Sequence, residues 1–310
     1  MKANRIHRFG APDVICYEDV ERPVPAAGEA VVRVMAAGVG PWDGWIRAGK
    51  SVLPQPLPLT LGSDLSGIVA DIGPGVSGFG PGDEVFGVTN PRFVGAYAEY
   101  AVATAGMIAH KPRRLDHVQA ASLPVVAVTA WQMLHDHAGL RSGQRVLVHG
   151  AAGSVGACAV QLAARAGADV IATVAAKDAE RVARLGAQQV VDIGTSRFED
   201  VVPPVDIVID LIGGDVQARS LSIIKPGGVL VSAVSQPDQQ LLEGRQIRAG
   251  FMLVRVDTAC LEQIAQLIEA GELATHVGAV LPLAQASQAH EMLEGILPRP
   301  GGKIVLEVDA

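Results

Sequence analysis

Residues 145–174 read RVLVHGAAGSVGACAVQLAARAGADVIATV. The stretch begins with an apolar, β-branched run, passes through a glycine-rich turn, continues as an Ala-rich helical segment and ends in a second apolar run. This order predicts one βαβ unit of a parallel sheet. Further strand-like runs at 205–210 and 229–232 alternate with helical segments. The second half of the chain is therefore predicted to be a doubly wound α/β sheet.

The first part of the chain has a different texture. Short strand-like segments, such as 30–35 and 66–71, are separated by Gly and Pro, which is typical of an irregular β-rich domain. The last stretch carries two helix-like segments and a final strand-like one, and we expect it to fold back onto the first domain. The predicted domains are 1–122 with 252–310, and 123–251.

Composition excludes several classes of function. The 25 basic and 32 acidic residues give a net charge of −7, and no long Lys/Arg run occurs, so nucleic acid is not an expected partner. No uninterrupted apolar run approaches the ~18 residues of a membrane span, and the N-terminus lacks the apolar stretch of a signal peptide. We therefore predict a cytoplasmic protein. The three cysteines lie far apart in the sequence, which fits neither a disulfide framework nor a zinc motif.

The turn after the first strand of the βαβ unit resembles the G-x-G-x-x-G fingerprint of dinucleotide-binding proteins. Its three positions hold Ala151, Gly153 and Gly156. Ala at the first position is a departure, although Gly150 just before it can supply the flexibility of the turn. The helix from Ser154 would offer free N–H groups to a pyrophosphate. The context between two strands predicts a nicotinamide dinucleotide site.

The end of the second strand decides which nicotinamide cofactor is expected. Enzymes that use NAD place an Asp or Glu there to hold both ribose hydroxyls, whereas Asp169 lies at the wrong end of this strand. Lys177, helped by Arg181, can pair with the 2′-phosphate of NADPH, so NADPH is the predicted cofactor. The alternative is Asp178, which could reach the ribose but is interpreted more simply as the N-cap of the next helix.

Several short motifs along nearly the whole chain carry a family resemblance. They are Gly62-Ser63-Asp64 with Ser66-Gly67, FGPGDEV at 79–85, AYAEY at 96–100, Thr129-Ala130 and GKIVL at 302–306. With these motifs the chain resembles the zinc-independent quinone oxidoreductases, the ζ-crystallin-like branch of the medium-chain dehydrogenase/reductases. The resemblance implies a GroES-like β domain and a Rossmann domain, with the active site in the cleft between them. It also implies homodimers, for which 248–254 is a plausible edge.

The resemblance further implies which residues contact the ligands. For most of the apolar ones core packing is an equal alternative. The implied cofactor contacts are Thr129, Gly153, Ser154, Val155, Gly156, Ala175, Lys177, Ile193, Gly213, Val231, Ser232, Ala233, Val234, Phe251, Met252 and Leu253. The implied substrate pocket holds Gly40, Trp42, Trp45, Ser51, Ser63 and Phe93. Trp42 and Trp45 either narrow this pocket or pack in the core, and Asp43 caps or braces their loop.

The expected chemistry follows from what the pocket lacks. Where zinc alcohol dehydrogenases carry Gly-His-Glu, this chain has Gly62-Ser63-Asp64, so no metal is expected. Hydride transfer to a quinone or α,β-enone fits a metal-free site, because the negative charge spreads onto an oxygen. The alternatives are an enoyl-thioester reductase, which Ser51 in place of the family's Tyr argues against, and a non-catalytic NADPH-binding protein. The sequence identifies no general acid.

Overall fold

The computed structural model describes residues 1–308, which divide into two compact units. Unit 1 comprises Met1–Val125, Val256–Gly271 and the described residues from Thr275 onward, and unit 2 comprises Val126–Arg255 with Glu272–Ala274. The predicted domain boundaries lie three residues (122 against 125) and four residues (251 against 255) earlier than these. Residues 309 and 310, which the predicted first domain included, lie outside the described part of the chain.

The secondary structure alternates strands with short helices. The strands are β1 (Lys2–Ile6), β2 (Cys16–Asp19), β3 (Glu29–Val39), β4 (Leu59–Thr60), β5 (Asp64–Ile72), β6 (Glu84–Val88), β7 (Tyr100–Thr104), β8 (Ile108–His110), β9 (Arg145–His149), β10 (Asp169–Val174), β11 (Gln189–Asp192), β12 (Val205–Asp210), β13 (Ile224–Ser232), β14 (Arg248–Phe251), β15 (Val277–Pro282) and β16 (Lys303–Glu307). The helices are α1 (Pro41–Arg47), α2 (His117–Ala121), α3 (Pro124–Trp131, continued by a π-helical turn over Gln132–His137), α4 (Ser154–Arg165), α5 (Ala179–Arg184), α6 (Phe198–Val201), α7 (Gly214–Ser220), α8 (Thr258–Glu269) and α9 (Ala286–Leu293). Within residues 1–308, none of these helices combines the length and the apolarity that crossing a bilayer demands.

Unit 2 contains a six-stranded sheet in the order β11-β10-β9-β12-β13-β14, and every neighbouring pair is parallel. Its core is built from apolar side chains on adjacent strands, including Leu147, Ile171, Val208 and Leu230. Such runs suit strands that are covered on both faces. The predicted doubly wound α/β sheet is therefore confirmed.

The parallel arrangement places all six strand ends at one edge of the sheet, which we call the carboxyl edge. Ligands of open α/β sheets bind outside this edge. The residues that directly follow the six strands are Gly150, Ala175, Ile193, Leu211, Ala233 and Met252.

Unit 1 is β-rich, as predicted. A seven-stranded sheet runs in the order β15-β16-β3-β5-β6-β8, with β7 also paired to β3, and a smaller sheet has the order β2-β1-β4. The core contains Val32, Leu65, Val85 and Leu306 from the large sheet. Helix α1 follows β3 after a single residue, so the predicted pocket residues Gly40, Trp42 and Trp45 lie directly after the end of β3.

Candidate active site

The turn between β9 and α4 lies at the carboxyl edge of unit 2. Gly150 has φ +69°, a left-handed conformation that glycine adopts without steric cost, and its carbonyl accepts from Gly153 N–H at 3.0 Å. Helix α4 begins at Ser154 with Gly153 as N-cap, so no side chain of a described residue caps it. Its first N–H groups have no intrahelical acceptor. With the positive end of the helix dipole, they form an anion site.

The two glycines that match the dinucleotide-binding fingerprint, Gly153 and Gly156, have different roles. A Cβ on Gly156 would lie 2.3 Å from the Gly150 carbonyl oxygen and 2.6 Å from Ala151 Cα, so only glycine lets α4 approach the end of β9. A Cβ on Gly153 would come no nearer than 3.3 Å to the Gly150 oxygen. Gly153 is exposed, so a ligand can approach its backbone without meeting a side chain.

The predicted partner of the 2′-phosphate lies beside this turn. Lys177 follows β10 in a 3₁₀ turn, its side chain is exposed, and its ammonium group forms no ion pair within residues 1–308. Arg181 donates to the Ala152 carbonyl at 2.8 Å, which ties α5 to the glycine-rich turn. Lys177 is therefore available to an anion at the carboxyl edge.

Asp178 departs from its predicted role. It occupies the N-cap position of α5, but its side chain makes no capping hydrogen bond. The physical reason is its helical backbone, with φ −101° and ψ −5°, whereas a capping side chain needs an extended N-cap. Its carboxylate instead accepts from Arg181 at 3.1 Å, so Asp178 has the predicted N-cap position but does not supply the capping hydrogen bond.

Four large apolar side chains are exposed beside the carboxyl edge. The exposed fractions are 61% for Ile193, 52% for Ile212, 41% for Val234 and 64% for Leu253. Each residue lies one or two positions after the end of β11, β12, β13 or β14. We call these four residues the apolar rim. Such a row on one edge of a sheet is typical of a ligand-binding surface.

The other predicted cofactor contacts differ in accessibility. Ser232 is buried and its hydroxyl is bonded inside unit 2. Gly213 has φ +77° in the turn before α7. Thr129, Gly156, Val231 and Met252 are buried, whereas Ser154, Val155, Ala175, Ala233 and Phe251 are half-buried.

In unit 1, three predicted pocket residues lie together. Trp42 Nε1 donates to Ser63 Oγ at 2.9 Å, and Ser63 is fully buried. A Cβ on Gly40 would lie 2.2 to 2.4 Å from three atoms of the Trp42 ring. The indole therefore occupies the space that a side chain at position 40 would fill.

Asp43 braces the start of α1, as predicted. Its Oδ2 accepts from Gly40 N–H at 2.8 Å and from the Tyr97 hydroxyl at 3.0 Å. Its Oδ1 is buried without a hydrogen-bond partner among the described residues. Burial raises the pKa of this carboxyl to about 7, against the lowering effect of its hydrogen bond to Gly40 and of the charge of Lys303.

A second buried side chain anchors the other end of α1. Arg47 is 2% exposed and donates to the Gly10 carbonyl at 3.0 Å, to His290 Nδ1 at 3.1 Å and to the Glu294 carboxylate. Burial, with the charge of Arg47, lowers the pKa of His290 to about 3. Helix α1 is thus fixed at both ends by buried polar contacts.

The remaining pocket residues are not joined to Trp42 by any contact that we observe among the described residues. Trp45 is 50% exposed, so the core-packing alternative is wrong for this residue. Gln55 Nε2 donates to Ser51 Oγ at 3.4 Å and to the Arg92 carbonyl at 3.0 Å, which places Ser51 near the segment of Phe93. Phe93 has φ +60°, a conformation that bulky residues rarely adopt.

Comparison with known proteins identifies the family. Residues 26–113 match the alcohol dehydrogenase GroES-like domain and residues 185–306 match a family described as zinc-binding dehydrogenase. The quinone oxidoreductase of Sus scrofa is 31% identical over 94% of this chain and 93% of its own length. The solved quinone oxidoreductase of Coxiella burnetii is 34% identical, with a TM-score of 0.92 over 100% of this chain and 99% of that one. Mycobacterial Rv1454c, solved in complex with NADPH, is 29% identical, with a TM-score of 0.89 over 99% of this chain and 100% of that one.

The chain belongs to the quinone oxidoreductase-like branch of the medium-chain dehydrogenase/reductase superfamily. It is an oxidoreductase that uses a nicotinamide cofactor, and its GroES-like and Rossmann domains are those that the sequence resemblance implied.

The position at which zinc members of this superfamily carry a His ligand holds Ser63, which is bonded to Trp42. The adjacent Asp64 accepts from Lys303 Nζ at 3.0 Å and from Val125 N–H at 3.1 Å. Burial raises the pKa of Asp64, and the charge of Lys303 opposes this effect. Within residues 1–308, no group of three His, Cys, Asp or Glu side chains could hold a metal ion.

Sequence interpretation missed several residues of this oxidoreductase. Asp210 ends β12 with a polar side chain after a mainly apolar run, and this change could have indicated a residue with a role at the carboxyl edge. Ile212 follows it in the apolar rim, although only its neighbour Gly213 was named. Lys303 was quoted as part of a motif without a role, and nothing in the sequence near Gln55 indicated its bonds to the pocket segment.

Proposed function

We propose that this oxidoreductase transfers a hydride from NADPH to a small conjugated acceptor, a quinone or an α,β-unsaturated carbonyl compound, without zinc. The observation that carries the proposal is the carboxyl edge after β9 and β10. There the exposed Gly153, the start of α4 without a side-chain cap and Lys177 without an ion pair follow neighbouring strands, as judged from the part of the chain that the structure describes. Free N–H groups suit a pyrophosphate, and a compact ammonium group suits the 2′-phosphate that distinguishes NADPH from NADH.

The carboxylates near this edge support the choice of NADPH. Asp178 is engaged with Arg181. Asp192, at the end of β11, accepts from Gly194 N–H at 3.0 Å and from the Thr195 hydroxyl at 3.2 Å. Both carboxylates already accept from neighbouring donors, which disfavours the contact with both ribose hydroxyls that NADH requires.

The residues of each unit have distinct tasks in the proposed reaction. When bound, NADPH supplies the hydride that an electron-poor carbon of the acceptor receives. In unit 2 the apolar rim holds the flat rings of the cofactor and excludes water, which strengthens electrostatic effects at the reacting atoms. In unit 1 the indole of Trp42, held by its bond to Ser63, gives the predicted substrate pocket a rigid aromatic group. The proton that completes the reduction comes from solvent.

Steady-state assays test this proposal. We expect NADPH oxidation, followed by its absorbance, with benzoquinones and with small enones, and a KM for NADH at least tenfold above that for NADPH. Lys177→Ala should remove most of this preference, whereas Arg184→Ala, which removes an exposed cation at the end of α5, should not. A clear preference for NADH, or turnover of enoyl-CoA thioesters alone, would contradict the proposal.

The proposed zinc independence rests on Ser63 and Asp64. They occupy the positions of the His and Glu of zinc members, and both are hydrogen-bonded to other side chains. We expect the active protein to contain less than about one zinc per ten chains by elemental analysis. Activity should also survive dialysis against a chelator. Loss of activity that only added zinc restores would contradict this part of the proposal.

We also propose a homodimer through β14, which is an outer strand of the unit 2 sheet in the described residues and so presents unpaired backbone groups. Light scattering should report twice the mass of 32.1 kDa. Ala249→Pro, which removes an N–H from this strand, should yield monomers. The cytoplasmic location stays a prediction from the sequence.

A further inference from the structure

A buried carboxylate joins two turns of the carboxyl edge in unit 2. Asp210 is 0% exposed. Its Oδ1 accepts from Ile212 N–H at 3.0 Å and from Gly213 N–H at 2.9 Å. Its Oδ2 accepts from Gln217 Nε2 at 2.8 Å and from the Ser232 hydroxyl at 2.8 Å. Both oxygens are therefore saturated by neutral donors.

Ser232 extends this network into the turn after β13. Its Oγ accepts from Val234 N–H at 3.2 Å and from Ser235 N–H at 3.3 Å. Gln217 Nε2 also donates to the Ser235 carbonyl at 3.1 Å. The turns that follow β12 and β13 are thus tied to one carboxyl group.

The two turns carry half of the apolar rim. Ile212 and Val234 are 52% and 41% exposed, although the backbone of each is held by Asp210 directly or through Ser232. A buried carboxylate needs hydrogen-bond donors around it, and the donors that surround Asp210 belong to the backbone and side chains of these two turns. Side chains that are exposed but held on fixed backbone form a preorganised surface against which a flat ring can pack.

The strand order shows which half of the dinucleotide this surface meets. The pyrophosphate site follows β9, and Lys177 follows β10, so the adenosine half extends towards β10 and β11. Strands β12 and β13 lie on the opposite side of β9. The nicotinamide half therefore extends towards Ile212 and Val234.

We infer that Asp210 is a positioning residue. It fixes the turns after β12 and β13, on which the nicotinamide half of the cofactor binds. The inference rests on the proposed function, because it takes NADPH as the ligand of this edge. Asp210 has no role in binding the adenosine half, whose 2′-phosphate is assigned to Lys177, or the pyrophosphate, which is assigned to the turn after β9.

Asp210→Asn tests the inference, because an amide offers one acceptor oxygen and turns a donor towards Gln217 and Ser232. Titration calorimetry would measure the Kd of two probes, NADP⁺ and 2′-phospho-ADP-ribose, which lacks the nicotinamide. We expect the Kd of NADP⁺ to rise at least tenfold and that of 2′-phospho-ADP-ribose to change less than twofold. Asp215→Asn, on an exposed side chain that pairs with Arg219, should change neither.

Ser232→Ala provides a second variant in case Asp210→Asn does not fold. It keeps the carboxylate but removes the acceptor for Val234 and Ser235 N–H, and we expect a three- to tenfold loss for NADP⁺ alone. Lys177→Ala is the converse control, since it should weaken both probes. Far-ultraviolet circular dichroism and the Tm report whether each variant is folded.

The inference is overturned if folded Ser232→Ala and Asp210→Asn bind NADP⁺ as tightly as the wild type. Equal weakening of both probes would also overturn it, because that result indicates a general loss of structure. If the wild type binds neither probe, the proposed function itself is wrong. The wild-type titration thus separates the two failures.

Discussion

Asp43 is a buried carboxyl group with two donors on one oxygen and no partner for the other among the described residues. Burial disfavours its charged form and raises its pKa from 3.8 to about 7. Between these values the native protein binds a proton that the unfolded chain releases. The free energy of unfolding therefore falls as the pH rises through this range.

Asp43→Asn should remove this pH dependence. The amide oxygen can still accept from Gly40 and Tyr97, so we expect the variant to gain stability relative to the wild type as pH rises from 4 to 8, by about 4 kcal/mol at most. Urea unfolding at several pH values measures the difference. Asp13→Asn, at an exposed site, is the control. Parallel pH profiles for wild type and Asp43→Asn would show that the group titrates normally.

Gly40 and Trp42 form a coupled pair, because the indole lies where a Cβ on residue 40 would be. Gly40→Ala should displace the ring and lower the free energy of unfolding by about 1–3 kcal/mol. In a Trp42→Ala background the same substitution should cost much less. A double-mutant cycle by urea unfolding measures this coupling. Equal costs in both backgrounds would mean that residue 40 is constrained by its backbone and not by the indole.

At the scale of elements, the junction of β9 with α4 contains one glycine that is needed for packing and another that is exposed to the ligand. Gly156 permits the approach of α4 to β9, whereas Gly153 is exposed and a Cβ there would meet only the Gly150 carbonyl oxygen, at 3.3 Å, which a small shift relieves. A substitution at the first should act on stability, and one at the second on the ligand. The two positions are three residues apart, one at the N-cap and one near the start of α4, and so serve as controls for each other.

Gly156→Ala should lower the free energy of unfolding by about 1–3 kcal/mol or prevent folding, since its Cβ would meet backbone at 2.3 Å. Gly153→Ala should keep the Tm within a few degrees but raise the Kd of NADP⁺ at least tenfold, because the methyl group would meet the pyrophosphate. Thermal unfolding and calorimetry measure the two effects. If Gly153→Ala binds NADP⁺ normally, the cofactor does not approach this turn.

Sequence patterns were most informative for elements of unit 2. Strands β9 and β12 were predicted over 145–149 and 205–210, which are their observed bounds, because buried parallel strands are mainly apolar runs. The prediction for β13 included only its last four residues, because Pro226 and the glycines beside it interrupt its apolar pattern. The contact between Trp42 and Ser63 was not predictable, since residues 21 positions apart meet only through the tertiary fold. The hydrogen bond between Asp210 and Ser232 was not predictable for the same reason, since the two residues are 22 positions apart.

At the scale of the whole chain, unit 1 is assembled from segments that are distant in sequence. Strand β16 pairs antiparallel with β3, and Lys303 reaches Asp64, 239 positions earlier. The side chains are 4% and 0% exposed, so water screens this ion pair little. Removing one partner would leave the other charge buried, and that is far more costly than losing an exposed ion pair.

Lys303→Met should therefore lower the free energy of unfolding by about 3–5 kcal/mol, because the Asp64 carboxylate loses its cation. Asp64→Asn combined with Lys303→Met should recover much of this loss, since no buried charge remains. Lys225→Met is the matched control, because Lys225 pairs with Asp206 at a site where its side chain is 41% exposed, and its loss should cost at most about 1 kcal/mol. Urea unfolding measures all four proteins. If Lys303→Met lowers the free energy of unfolding no more than Lys225→Met does, then the pairing of β16 with β3, and not the ion pair, holds β16 in unit 1.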